Sequence, residues 1–209
     1  MKAVAAVLVL GAILFGGLLV VFDRQMSSGS VYPVASSLRP DPDGARVLYE
    51  SLSRLPGLRV RRNFLPEVPE GAIEGATVLF LGLAPHLDGR QAIAIDRLAR
   101  RGNRVVAAFV LPREGRTQEE HAIHRHWKLP FPLESETGFA VAEMGAGAVV
   151  LVPNGEIFLN GSLASDLRAD RIAEMLGDSG EIVFDEAHFG LAESGSIMGL
   201  ARRYRLHGL

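Results

Sequence analysis

The longest apolar run of the chain lies at its N-terminus. Residues Ala3 to Phe22 carry no charged side chain, and Lys2 and Asp23 bound the run. A helix over this run reaches about 30 Å, which matches the hydrocarbon core of a bilayer. The run therefore predicts one N-terminal transmembrane helix within residues 1–26, followed by a linker over residues 27–35.

A cleaved signal peptide is the alternative to an anchor, because the small residues Ser28, Gly29 and Ser30 follow the run. The run is longer than the apolar region of a signal peptide, and no A-x-A-like site directly follows it. We expect a retained single-pass anchor in the inner, or cytoplasmic, membrane of the cell. Basic residues flank the run almost evenly, and we place the module on the extracytoplasmic side.

Residues 36–190 have the periodicities of one α/β domain. Two short apolar runs, 76–83 and 104–111, predict strands buried on both faces. Between them, a stretch that begins at Asp88 or Gly89 has the spacing of an amphipathic helix, with Ile95, Leu98 and Ala99 on its inner side. Its solvent-facing side carries the arginines Arg90, Arg97, Arg100 and Arg101. A strand, a helix and a strand in this order form a βαβ unit. The domain is thus predicted to have a mostly parallel sheet flanked by helices.

Other segments predict further elements of this domain. Asp41 and Pro42 have the residue types of a helix start, and an apolar stripe follows at Ala45, Leu48, Leu52 and Leu55. Residues 58–61 alternate as an edge strand does, and 112–147 have the composition of a long surface excursion. Asn154-Gly155 predicts a hairpin turn, residues 165–176 a helix, and residues 181–184 a buried strand. The remaining residues, 191–209, form a basic C-terminal segment.

Composition excludes several classes of function. The formal net charge is only -2, with 22 basic and 24 acidic side chains, so no global field favours nucleic acid as a partner. The chain has no cysteine, which excludes disulfides, thiolate zinc sites and a cysteine nucleophile. It has neither a phosphate-binding G-x-x-x-x-G-K-[ST] loop nor a G-x-S-x-G elbow, and no dinucleotide fingerprint lies between a strand and a helix. The sequence thus favours a protein that is not an enzyme.

The most interesting chemical groups are Asp185, Glu186 and His188, because they follow the strand at 181–184. Ligands of open α/β sheets gather outside the carboxyl ends of the strands. Two interpretations stay open: a catalytic or metal site, and a set of structural or binding groups. Asp43 and Gly44 are further binding candidates, although an aspartate near a helix start has a capping role of its own.

Three of the six histidines, His121, His124 and His126, lie close together. On a helix the first two share a face and the third points elsewhere. Neither H-E-x-x-H nor any cysteine completes a familiar zinc pattern. They are weak candidates for a metal site, and we expect no cofactor.

Two stretches carry a resemblance to a known family: SSLRPDPDGARVLYESLSRLPGLRV from Ser36 to Val60, and FDEAHFG from Phe184 to Gly190. With the anchor, they make the chain similar to a bacterial membrane-anchored family of unknown function. Its soluble domain resembles class I glutaminases and ThuA-like proteins. The resemblance spans nearly the whole chain and implies a flavodoxin-like, class I glutaminase-like fold.

The resemblance also implies a setting. Members of the family are often encoded beside MoxR-type ATPases and proteins with von Willebrand factor A-like features, which implies protein partners in a membrane assembly. Glutaminase activity is not carried over, because that reaction needs a cysteine thiolate. Members often continue into a second membrane helix, so the resemblance leaves open a further helix beyond Leu209.

These observations predict a membrane-anchored, non-catalytic module that binds a ligand or partner at the carboxyl edge of its sheet. The resemblance makes it an accessory component of a MoxR ATPase-associated assembly. The alternative is a metal-assisted or acid/base hydrolase that uses Asp185, Glu186 and His188. The chemical identity of a small-molecule ligand stays undefined.

Overall fold

The computed structural model describes residues 32–65, 73–84, 87, 89–110, 127, 138–166 and 168–191. The predicted anchor, the three clustered histidines and all but the first residue of the basic C-terminal segment lie outside them. Among the helices of the described ranges, none is long and apolar enough to cross a membrane.

Six strands form one sheet in the described part of the chain. They are β1 (Arg59–Asn63), β2 (Thr77–Leu83), β3 (Arg104–Phe109), β4 (Ala140–Met144), β5 (Gly147–Val152) and β6 (Glu181–Asp185). The strand order is β1-β6-β2-β3-β5-β4, and every neighbouring pair is parallel except β4 and β5. The predicted α/β fold with a mostly parallel sheet is confirmed.

Helices cover both faces of this sheet. They are α1 (Arg46–Leu52), α2 (Gly89–Arg100), α3 (Asn160–Ser165) and α4 (Ala169–Leu176), with 3-10 turns at Gly155–Phe158 and Ala187–Phe189. On one face, α1, α4 and the first 3-10 turn pack in one core cluster with side chains such as Leu79 and Phe184. On the other face, α2 packs over side chains such as Val78 and Val105. Alternate strand residues thus supply two separate cores.

The predicted βαβ unit is present as β2, α2 and β3. The two strands are neighbours and run parallel, with Thr77 opposite Arg104. Ile95, Leu98 and Ala99 of α2 are buried, as their spacing predicted. The predicted edge strand is β1, which lies at the end of the sheet.

The start of α1 differs from the prediction. The helix begins at Arg46, and the Asp41 carboxylate instead accepts the N–H of Asp43 at 3.2 Å within a turn. The amide of Val47 is capped by the Asn160 side chain, whose Oδ1 lies 2.8 Å from the Val47 nitrogen. Asn160, which is distant in sequence, thus provides the helix cap that was expected from Asp41. Leu55, expected in the apolar stripe, lies beyond the helix and is 52% exposed.

The hairpin prediction at Asn154-Gly155 was wrong. Asn154 Oδ1 instead accepts the N–H of Glu156 at the start of a 3-10 turn, which buries Phe158 in the core. The hairpin connects β4 and β5, with its turn at Gly145-Ala146. The predicted surface excursion over 112–147 therefore contains a strand. The predicted helix over 165–176 begins later, as α4, after the separate short helix α3.

Asn160 stabilises the segment that leads into α1. Its side chain is buried, and besides capping Val47 it donates to the carbonyls of Arg39 at 3.1 Å and Asp41 at 2.6 Å. One amide thereby satisfies three backbone groups between residues 39 and 47.

We predict that Asn160→Ala lowers the free energy of unfolding by about 2 to 4 kcal/mol, because it leaves buried backbone groups without partners. Urea unfolding of the full chain in non-ionic detergent measures this, with the fluorescence of the single tryptophan, Trp127, as the signal. Asn154→Ala is the matched control and should cost about 1 kcal/mol or less, since it removes one exposed cap. Equal losses in both variants would contradict the role of Asn160.

Candidate functional site

The candidate site lies where β6 ends. Asp185 is the last residue of that strand and Glu186 follows it, and their side chains are buried, with 6% and 1% exposed. Because successive strand residues point to opposite faces of a sheet, the two carboxylates serve different surroundings. The structure therefore separates two groups that are adjacent in sequence.

Glu186 contacts the segment that precedes α1. Its Oε2 accepts the Ser36 hydroxyl at 2.7 Å, and its Oε1 accepts the Ser37 N–H at 2.8 Å. Arg62 of β1 supports the same segment, since its guanidinium donates to the Ser37 hydroxyl at 2.8 Å and its carbonyl at 3.0 Å. That guanidinium also lies 3.5 Å over the ring of Tyr49. Glu186 is therefore used in holding one loop against the sheet.

Three backbone features accompany the contact between this loop and the end of β2. Ala35 has a φ of 65°, a left-handed conformation that is unfavourable for residues other than glycine. Beside it, a Cβ on Gly82 would lie 2.9 Å from both the Ala35 side chain and the Val34 carbonyl oxygen. The register of β2 against β3 shifts between Phe80 and Leu83 at the same place. Glycine at 82 thus allows the loop to approach the end of β2.

Asp185 and His188 form a second network on the opposite side. The Asp185 Oδ2 accepts the Asn63 amide at 2.6 Å, and its Oδ1 accepts the backbone N–H of His188 at 3.0 Å. The His188 ring has Nδ1 at 3.1 Å from Asp185 Oδ1 and Nε2 at 2.8 Å from the Leu81 carbonyl oxygen. The ring can donate to both Asp185 Oδ1 and the Leu81 carbonyl only if Nδ1 and Nε2 both carry a proton.

Asp43 and Gly44 belong to the loop that Glu186 holds, not to a shared pocket with it. A Cβ on Gly44 would lie 1.9 Å from the Arg39 carbonyl oxygen, so no side chain fits there. The Asp43 carboxylate is 65% exposed and lies 3.4 Å from the Arg39 guanidinium. The Arg39 side chain also hydrogen-bonds Asp41 at 2.6 Å, which lowers the pKa of Asp41. These groups shape the loop.

A cavity of about 420 Å³ opens between α2 and the turn after β6. Asp185 and His188 border it on one side, and α2 borders it on the other. The remaining lining residues are Phe80, Arg90, Gln91, Ile93, Ala94, Arg97, Leu98, Arg101 and Ala187. Arginines on α2, and Arg101 directly after it, therefore share one cavity with the residues at the end of β6.

The geometry does not favour acid/base chemistry by the predicted residues. A general base needs a nitrogen or oxygen within reach of a substrate proton. The His188 Nε2 instead lies against Leu81, and both Asp185 oxygens are occupied by Asn63 and His188. Within the described ranges, no group of three or more histidine, aspartate or glutamate side chains is placed to hold a metal.

Several residues of the candidate site were absent from the sequence prediction. The partners of the carboxylates are Ser36, Ser37 and Asn63, to which the sequence assigned no role. Gly82 within the apolar run 76–83 was the available signal for an irregular strand end. The arginines of α2 were predicted to be solvent-facing, but their shared stripe was not interpreted as one wall of a site.

We compared the chain with models of protein families, with curated proteins and with solved structures. None of the three comparisons finds a match.

We predict that Glu186→Ala lowers the free energy of unfolding by about 2 to 4 kcal/mol, because the buried Ser37 N–H and Ser36 hydroxyl lose their acceptor. Glu186→Gln should cost less, since its amide oxygen can still accept the Ser37 N–H and the Ser36 hydroxyl can rotate to accept from its nitrogen. Urea unfolding followed by Trp127 fluorescence compares the two. A Glu186→Ala variant as stable as wild type would contradict the structural role.

We predict that the Arg39–Asp41 pair stabilises the fold only above acidic pH. Because Arg39 lowers the folded-state pKa of Asp41, its contribution is present above the usual aspartate value of 3.8 and is lost as the pH falls through the lower folded value. Asp41→Asn should lower the free energy of unfolding by about 1 kcal/mol at neutral pH. This difference from wild type should shrink as the pH falls below 3.8. Urea unfolding across the pH range measures it.

Asp43→Asn is the control for that measurement, because the exposed Asp43 carboxylate is farther from Arg39. The free energy of unfolding of Asp43→Asn should stay close to that of wild type across the whole pH range. If the loss of stability in Asp41→Asn instead grows as the pH falls, the stabilising role of the Arg39–Asp41 pair is contradicted.

Proposed function

We propose that this chain is a membrane-anchored, non-catalytic module that binds a ligand or partner in the cavity at the carboxyl edge of its sheet. One observation carries the proposal. The polar side-chain atoms of Asp185, Glu186 and His188 all lie within hydrogen-bonding distance of partners inside the fold, while the cavity beside two of them is open. The acidic residues and the histidine thus build the site, and the cavity receives the ligand.

The location of the cavity supports binding. One end of it, at Asp185 and His188, lies at the carboxyl end of β6, where ligands of parallel sheets commonly bind, and its lining continues along α2. Its volume falls within the range of small-molecule sites, and apolar and cationic groups line it together. Asp185 and His188 are held rigidly by their own partners, which gives the cavity a preorganised wall.

The setting of the module is part of the proposal. The uncharged run from Ala3 to Phe22 has the length of a membrane helix. The resemblance to the MoxR-associated family leads us to propose that the module is an accessory component of such an assembly, with its bound partner or ligand on the extracytoplasmic side.

Photo-crosslinking tests the proposal on the full chain in native membranes. A benzophenone amino acid replaces Ile93, which lines the cavity and is 58% exposed. The control replaces Leu55, which is 52% exposed and follows α1 on the other face of the sheet. We expect an adduct at position 93 and none at position 55, detected by gel shift and intact mass spectrometry.

The absence of an adduct at position 93, or equal adducts at both positions, would contradict binding in the cavity. The hydrolase alternative has its own test. Purified protein is assayed with nitrophenyl esters and phosphates in the presence of Mg²⁺, Mn²⁺ or Zn²⁺. Hydrolysis that is lost in a folded His188→Gln variant would contradict the non-catalytic assignment.

A further inference from the structure

We propose that the ligand of the cavity carries an oxyanion, a phosphate or a carboxylate, which Arg97 and Arg101 hold while an apolar part of the ligand rests near Phe80. This inference rests on the proposed function and names the chemistry that the site recognises. Three observations carry it: the helical spacing of the arginines, the charge of this face and the apolar floor of the cavity.

The spacing places three arginines in one row. Arg90 and Arg97 lie on α2, and Arg101 is the first residue after it. They are separated by seven and four positions, close to whole turns of an α-helix, and all three line the cavity. Arg97 and Arg101 are one turn apart, about 6 Å, so their guanidinium groups can bind one oxyanion together. Arg90 lies in the first turn of α2, about 10 Å from Arg97 along the helix axis, and lines the same cavity.

The charge of this face opposes that of the whole chain. Residues 89–101 contain four arginines and a single acidic residue, Asp96, whereas the full chain has a net charge of -2. The Asp96 carboxylate accepts the indole N–H of Trp127 at 3.0 Å. Asp185 is the one carboxylate among the residues that line the cavity, against the three arginines. The cavity is therefore a local cationic site on an acidic protein.

The floor of the cavity is apolar. Phe80, Ala94 and Leu98 line it below the arginines, and Ala187 continues it towards the end of β6. A volume of about 420 Å³ accommodates a small organic molecule as well as its anionic group. An anion with an apolar body fits both parts of the lining, whereas a fully hydrated ion would leave the apolar part unused.

A purely structural role for these arginines is the competing explanation, because cations near the C-terminus of a helix are stabilised by its dipole. Arg100 separates the two explanations. It is the last residue of α2 and shares the dipole, but it lines only a neighbouring depression and not the cavity. A dipole role applies to Arg97 and Arg100 alike, and a ligand role applies only to Arg97.

Isothermal titration of phenyl phosphate and of benzoate into the full chain tests the inference, with the protein in vesicles of phosphatidylcholine. Benzyl alcohol, which lacks the anion, is the ligand control. We expect saturable binding of at least one of the two anions. Arg97→Ala should weaken it about tenfold or more, as the loss of a charge-assisted hydrogen bond implies, and Arg100→Ala by about twofold or less.

Both variants lie on exposed helix positions and introduce alanine, which favours helices, so both should fold. Circular dichroism checks this. Repeating the titration in vesicles that also contain phosphatidylglycerol identifies the source of the anion. Weaker binding there means that a lipid phosphate occupies the site, and unchanged binding means that the ligand is soluble.

Three results would overturn the inference: no saturable binding of either anion, equal weakening by Arg97→Ala and Arg100→Ala, or equal binding of benzyl alcohol. If crosslinking at position 93 succeeds while anion binding fails, the module binds its ligand by other contacts and the proposed function stands. If both fail, the proposed function fails with the inference.

Discussion

The burial of the Glu186 carboxylate is the constraint on which the carboxyl edge of this sheet depends. A carboxylate removed from water must have hydrogen-bond donors, and Ser36 and Ser37 supply them. Meeting this need brings the segment before α1 against the end of β6. The left-handed Ala35, the side-chain-free approach at Gly82 and the turn at Gly44 are the backbone features that make the contact possible.

The same strand end has two functions because its residues alternate between faces. Glu186 fastens a loop on one face, while Asp185 positions His188 on the other, where both border the cavity. The two stretches on which the family resemblance was based meet here, since Ser36 and Ser37 lie in one and Glu186 in the other. The cluster of Asp185, Glu186 and His188 thus joins separate segments of the chain, and the anion binding that we propose involves Arg97 and Arg101 at the end of α2.

The strands and α2 could be predicted because their signals are local. Apolar runs identified β2, β3 and β6, and the spacing of Ile95, Leu98 and Ala99 gave the buried face of α2. The cap of α1 could not be predicted in this way, since Asn160 is 113 residues away from Val47. Asn154-Gly155 has the residue types of a hairpin turn, but burial of Phe158 favours a 3-10 turn there. Tertiary contacts overrode the local preference.

The sequence identified the candidate residues of the site but did not identify their structural roles. Composition and position marked Asp185, Glu186 and His188, whereas the donors that occupy them come from β1 and from the segment before α1. Such pairings depend on strand order, which places β6 between β1 and β2. No pattern along the chain specifies that order, so the sequence alone left the catalytic and structural interpretations open.

Hydrogen exchange of two backbone amides tests the central claim most directly. The N–H of Ser37 donates to Glu186 and that of His188 donates to Asp185, so both should exchange slowly in the native protein, as we also expect for the amides of β6. We expect protection of both amides that is comparable with Ile182 to Phe184. Exchange as fast as that of an exposed loop amide at either position would contradict the structural role of that carboxylate.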